Sequence, residues 1–154
     1  MNEKLLDTIG WAIIAALQED ARLSFNELAR RIGVSPPTIA ERVRRMEEIG
    51  IIAGYRAVID PTKVGLPVTA IIRLITPVEQ YDRSYDAIRA MPEVARCHRV
   101  TGGDSSILTV RVASLAHLED VIDRLRPIGQ SITSLVLSSP VQWRAVTPPP
   151  NESS

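Results

Sequence analysis

The chain has 154 residues, 45% of them hydrophobic and 23% charged, which is ordinary for a globular protein and leaves room for one medium domain or two small ones. No stretch approaches the roughly 18 apolar residues of a membrane helix, and the opening MNEKLLD lacks the apolar run of a signal peptide. One cysteine, Cys97, excludes an internal disulfide framework and cannot alone build a zinc site, so a reducing cytoplasm is the expected compartment. Formal net charge is zero, yet Arg22 to Arg56 holds seven arginines against four glutamates, a local excess of +3. Such a patch predicts modest non-specific DNA affinity that oligomerisation would multiply.

Leu6, Ile9, Ile13 and Leu17 recur at three- and four-residue intervals, predicting a helix that ends near residues 18–20. Gly10 falls inside it, at an expected cost of about 1 kcal/mol relative to alanine. Ser24 and Glu27 have the S-x-x-E spacing of a capping box. Leu28, Ala29 and Ile32 then mark a short helix over 25–32, closed by Gly33. Ser35 is a second cap, and Pro36 suits the first helical position, where a missing N–H is harmless. Ile39, Val43 and Met46 form the inner stripe of this third helix, with Thr38, Glu41, Arg42 and Arg45 on another side. Two short helices joined by Gly-Val-Ser, the second with an arginine-rich face, are the helix-turn-helix pattern. Ser35, Pro37, Thr38, Glu41, Arg42, Arg44 and Arg45 are the expected DNA-contacting residues, because arginine suits bidentate contact with guanine or phosphate. Residues 51–60 (IIAGYRAVID) read as a small β-wing turning at Gly54 and presenting Arg56 to phosphate.

The stretch DPTKVGLP interrupts the periodicity and marks a linker over 61–67, dividing a DNA-binding domain (1–60) from a second domain (68–146). There the pattern predicts strands over 68–76, 94–101, 106–113 and 132–138 and helices over 79–91 and 115–128, with 141–146 a candidate extension of the last strand. The order βαββαβ defines a ferredoxin-like sandwich, making the whole chain an α+β protein with a winged helix-turn-helix ahead of it. Ile71, Ile75 and Ile107 fall on the sheet face away from the helices, which predicts a partner subunit over that face. The tail from 147 to 154, TPPPNESS, is expected to be disordered.

LQEDARLS, ELARRIGVS, RVRRMEEIGII and GYRAVIDP, with the looser VARCHRVTGGDSSILTVRV, resemble the Lrp/AsnC (feast/famine) family of transcription regulators, from about Leu6 to Val146. This resemblance implies dimers that often gather into octamers around double-stranded DNA, with amino acids or related metabolites as effectors. It also implies an effector site near the loop between the second and third strands. Here that loop comprises Thr101, Gly102, Gly103, Asp104, Ser105 and Ser106. Backbone N–H groups around the glycines suit a carboxylate, and Asp104 suits an ammonium. The same six residues read equally as a plain hairpin turn. Two positions depart from the family pattern: Ser105 and Ser106 stand where an acidic and an aromatic residue are usual, and Gly10-Trp11 replaces a common Asp-Arg pair.

Two rival readings remain. Haem-pathway decarboxylases that bind a tetrapyrrole share the two-domain body, but would want His and Arg converging on a pocket, and the chain has only His98 and His117. An architectural protein would bind DNA without reading it. No Ser-His-Asp, metal-ligand or phosphate-loop constellation appears, so neither an enzyme nor a cofactor is expected.

Overall fold

The computed structural model describes residues 5–103 and 105–150. Contacts divide the chain into two compact units: one holds the residues up to Val58 with the segment from Val141, the other Ile59–Pro140.

The first unit is a bundle of three helices, α1 (Thr8–Glu19), α2 (Phe25–Ile32) and α3 (Pro36–Glu48). Each start is fixed by a side chain. Asp7 accepts from the Gly10 N–H at 2.8 Å, Ser24 and Glu27 form the complete reciprocal box, and Ser35 caps α3 ahead of Pro36 and Pro37. Gly33 ends α2 at φ 84, a conformation that costs glycine nothing. Ile13, Leu28, Ala29, Ile39, Val43 and Met46 are the buried centre, as their spacing predicts.

The wing expected at 51–60 is absent. No strand forms between residues 51 and 60. Ile51 and Ile52 turn inward onto the three-helix core, and the Tyr55 hydroxyl donates to Glu47 Oε1 at 2.8 Å. Desolvation together with that carboxylate pushes the Tyr55 phenol up to about 12. The first arm is thus committed to α3, and Arg56 lies on an exposed irregular segment rather than on a wing. Residues 141–146 likewise add no strand. Instead Gln18 of α1 exchanges two hydrogen bonds with the Val146 backbone, at 2.8 and 3.0 Å. The expected tail begins at 147, and its last four residues lie outside the described ones.

The second unit is a four-stranded antiparallel sheet, order β2-β3-β1-β4, comprising β1 (Val68–Ile75), β2 (Val94–Arg99), β3 (Ser106–Val112) and β4 (Gln130–Leu135). Helices α4 (Tyr81–Arg89) and α5 (Leu115–Leu125) pack on one face. Ahead of β1 the linker forms a single 3-10 turn, Pro61–Val64. The core alternates by two along the strands: Ala70, Ile72 and Leu74 meet Leu108, Val110 and Val112, under Ile88, Leu118, Val121 and Leu125. β4 starts two residues earlier than the pattern predicts, because Gln130 already pairs with Ile75.

One ionic cluster fastens this layer. Glu93, with its side chain only 11% exposed, accepts from Arg124 at 2.5 Å and from His117 Nε2 at 3.1 Å. Desolvation raises the carboxyl's pKa, but the hydrogen bonds from Arg124 and His117 outweigh it and hold the group down to about 2. A carboxyl depressed on folding stabilises the fold above its unfolded pKa, and that contribution is lost as pH falls toward the folded value. Unfolding free energy is therefore expected to drop by roughly 3 kcal/mol between about pH 4.5 and pH 2 on account of Glu93. Urea titrations of Glu93→Gln should lack this component; an acid limb identical to that of the unaltered protein would refute it.

Candidate nucleic-acid interface and effector loop

On α3 the buried residues Ile39, Val43 and Met46 define the inner side. At about 100° per residue, the outward centre falls among Pro37, Glu41, Arg44, Arg45 and Glu48. Thr38 stands at the edge of that surface, its hydroxyl 2.8 Å from the Ser35 hydroxyl, which also receives the Thr38 N–H. Ser35 and Thr38 therefore present an ordered polar pair at the helix tip.

The three α3 arginines have separate situations. Arg44 donates to Glu41 at 2.8 Å and to Glu48 at 2.6 Å. The hydrogen bond from Arg44 lowers the Glu41 carboxyl and the pair raises the Arg44 guanidinium, so this charge is compensated along its own helix. Arg42 flanks the buried stripe and reaches Asp7, with both Nη atoms on both carboxylate oxygens at 2.8 Å. Its side chain keeps 21% exposure. Asp7 is thereby both the cap of α1 and the anchor of α3, and the Arg42 hydrogen bonds, followed by that from the Gly10 N–H, lower its pKa. Arg42 is placed as a strut, whereas its spacing predicts a groove contact. Arg45 is exposed and has no ion pair among the described residues. Asp7 was not legible as a functional residue, although an acidic residue just before an apolar periodic run is a cap signal.

The expected effector residues gather at one end of the sheet, and the structure separates them. Thr101, Gly102 and Gly103 are exposed, Gly102 with φ 107; Asp104 lies outside the described residues. Ser105 is 8% exposed. Its hydroxyl receives the Thr76 N–H at 2.9 Å and donates to the Thr76 carbonyl at 3.1 Å, and its N–H donates to Leu74 O. Ser106 is buried, with its hydroxyl 3.5 Å from the Tyr85 hydroxyl. Both serines are thus occupied in closing the loop onto β1 and α4. Near them Arg99 lies over the Tyr81 ring at 5.1 Å, and the Tyr81 and Tyr85 rings meet tilted at 43° with centroids 6.1 Å apart, a cationic and aromatic wall that motif reading alone did not find.

His98 sits on the sheet face opposite the helices, paired with Ile107, whereas His117, in the first turn of α5, is held by Glu93. The two histidines do not converge. Among the described residues no three His, Cys, Asp or Glu side chains gather as a metal site, and no helix is long and apolar enough to cross a membrane.

A capped helix-turn-helix joined to an α/β sandwich with a glycine hairpin defines a two-domain DNA-binding transcription regulator. The AsnC-type helix-turn-helix family model matches residues 6–47, and the Lrp/AsnC ligand-binding domain model matches residues 69–146. The chain belongs to the Lrp/AsnC family. It is 38% identical to the transcriptional regulator LrpC of Bacillus subtilis, over 86% of this chain and 92% of that one. The solved LrpC structure superimposes with a TM-score of 0.86 at 36% identity, covering 90% and 99% of the two chains. Regulatory protein AsnC of Escherichia coli is 31% identical over 96% and 100%. A feast or famine regulatory protein from Mycobacterium tuberculosis, solved with L-methionine, matches with a TM-score of 0.86 at 33% identity, over 93% and 99%.

Proposed function

We propose that the chain acts in the cytoplasm as a homodimer, able to gather into octamers, that reads operator DNA with α3 and adjusts its assembly or affinity to an amino-acid-type effector; no catalytic step is assigned to it. The observation that carries the DNA reading is Arg45, an exposed guanidinium with no ion pair among the described residues, on the outward side of a helix whose start and flank are both pinned. Base contacts are assigned to Thr38, Glu41 and Arg45, with Ser35 and Pro37 at the helix tip and phosphate contacts to Arg44 and Arg56. The Arg42 contribution is indirect, through Asp7.

Fragment selection from genomic DNA with the full chain supplies the test. Arg45→Ala is expected to weaken the preferred site by about 1–3 kcal/mol while leaving random DNA nearly unaffected. Arg42→Ala is expected to lower the melting temperature and to weaken both DNAs alike. Equal affinity of the unaltered protein for all fragments would instead make it an architectural protein.

The effector reading is supported by the exposed Thr101–Gly103 backbone beside the Arg99–Tyr81 wall, and by the L-methionine complex of the mycobacterial relative. Loop N–H groups and Arg99 suit a carboxylate, and Asp104 suits an ammonium. A panel of free amino acids, L-methionine included, is expected to raise the melting temperature or shift the sedimentation of the unaltered protein. Asp104→Ala should abolish that response. Silence of the whole panel in both readouts would end the proposal.

A further inference from the structure

Resting on the DNA-binding reading above, we infer that Phe25, together with Pro37 and Ala40, forms a notch that reads the 5-methyl group of a thymine. The chain's single phenylalanine is the first residue of α2 and keeps 46% of its surface exposed. It borders an open groove of about 430 Å³ between the starts of α2 and α3, lined by Ser24, Phe25, Asn26, Pro36, Pro37 and Ala40.

Two of the polar groups around that groove are already spent, whereas the exposed Asn26 amide is not. Ser24 is engaged with Glu27 in the capping box, and Ser35 holds the Thr38 N–H. A helix start ordinarily offers unpaired N–H donors to an anion. At α3 the first two helical positions are Pro36 and Pro37, which have none, and the third N–H is capped. The tip of the recognition helix is therefore a poor phosphate seat. What remains accessible is the Asn26 amide and, beside it, a phenyl ring, a pyrrolidine ring and a methyl group. The apolar group that duplex DNA presents in the major groove is the thymine methyl, and recognition helices enter that groove by their N-terminal residues. Pro37 lies one turn before Glu41 on the outward side of α3, so the notch's occupant lies beside the base edge that Glu41 reaches.

The test uses the full chain and a duplex bearing its selected site, with each thymine replaced in turn by deoxyuridine, which lacks only the methyl. For the unaltered protein one such replacement per half-site should weaken binding about fourfold, the worth of one buried methyl at ~0.8 kcal/mol. In Phe25→Ala that thymine-to-uracil difference should vanish, and in Phe25→Leu it should persist in part. Phe25 is half exposed, so both variants should keep the parent's helical circular dichroism. The inference is overturned if no thymine shows a methyl effect. It is equally overturned if Phe25→Ala weakens thymine and uracil duplexes alike, which would mark a deoxyribose contact, or if it changes sedimentation alone, which would mark a protein partner. Absence of any preferred site in the unaltered protein would instead sink the sequence-reading function itself, a separate and recognisable failure.

Discussion

Gly10→Ala is expected to destabilise the N-terminal unit by roughly 2–3 kcal/mol, the cost of forcing an extra carbon into a closed site. Helix propensity alone predicts the reverse, a gain of up to about 1 kcal/mol from replacing a glycine in the first turn of α1. Packing decides the sign. A Cβ at Gly10 would stand 1.7 Å from the Leu5 carbonyl oxygen and 3.1 Å from Met46 Cε. The first obstacle is backbone, and it cannot swing aside as a side-chain tip would. Met46 belongs to the fully buried inner stripe of α3, and the Gly10 N–H is the one Asp7 caps. Displacing Leu5 therefore disturbs the start of α1 next to the carboxylate that Arg42 grips. Thermal unfolding of Gly10→Ala should show a clear drop in melting temperature, and operator affinity should fall with it. A melting temperature equal to or above the parent's would show that the N-terminal backbone moves aside freely.

The same position illustrates where sequence reading stops. Periodicity, the capping box and the serine before two prolines are local signals, and they located the starts of α2 and α3 to the residue because each start is satisfied within three or four positions. The βαββαβ order and its inner faces were equally legible, since alternation along a strand directly records which side is buried. What escaped depends on residues far apart in the chain. Arg42 and Asp7 are separated by 35 positions, so the helix spacing that puts Arg42 beside Arg45 says nothing of the carboxylate waiting beside it. Ser105 reads as a loop residue, yet its hydroxyl is consumed by Thr76, 29 positions away. The alternation of 51–60 is real, but a hairpin also needs two arms free to pair, and one arm is held by the bundle and by Glu47. Asp104, at the centre of the effector proposal, lies outside the described residues.

Ile71→Glu combined with Ile107→Glu is expected to convert the protein from a species of twice 16.9 kDa to one of that mass, and to lower operator affinity by about 10²–10⁴ through loss of bivalent binding. The two isoleucines share the sheet face away from α4 and α5. Ile107 lies across from Arg73, which lies across from Ile132, while Ile71 lies across from Thr109. Ile75 and Ile132, on that same face, are 39% and 46% exposed. A sheet packed on one side normally turns a polar alternation outward; four isoleucines here ring Arg73, an apolar excess of the kind that marks an association surface. A two-fold pairing brings each substituted position in twice, so four carboxylates would have to be buried, at several kcal/mol each without partners. Because both positions point away from Ala70, Ile72, Leu74, Leu108 and Val110, the monomer should keep its circular dichroism and its separate core. Sedimentation at micromolar concentration decides the matter: a doubly substituted protein that still sediments as a dimer would place the association surface elsewhere on the chain.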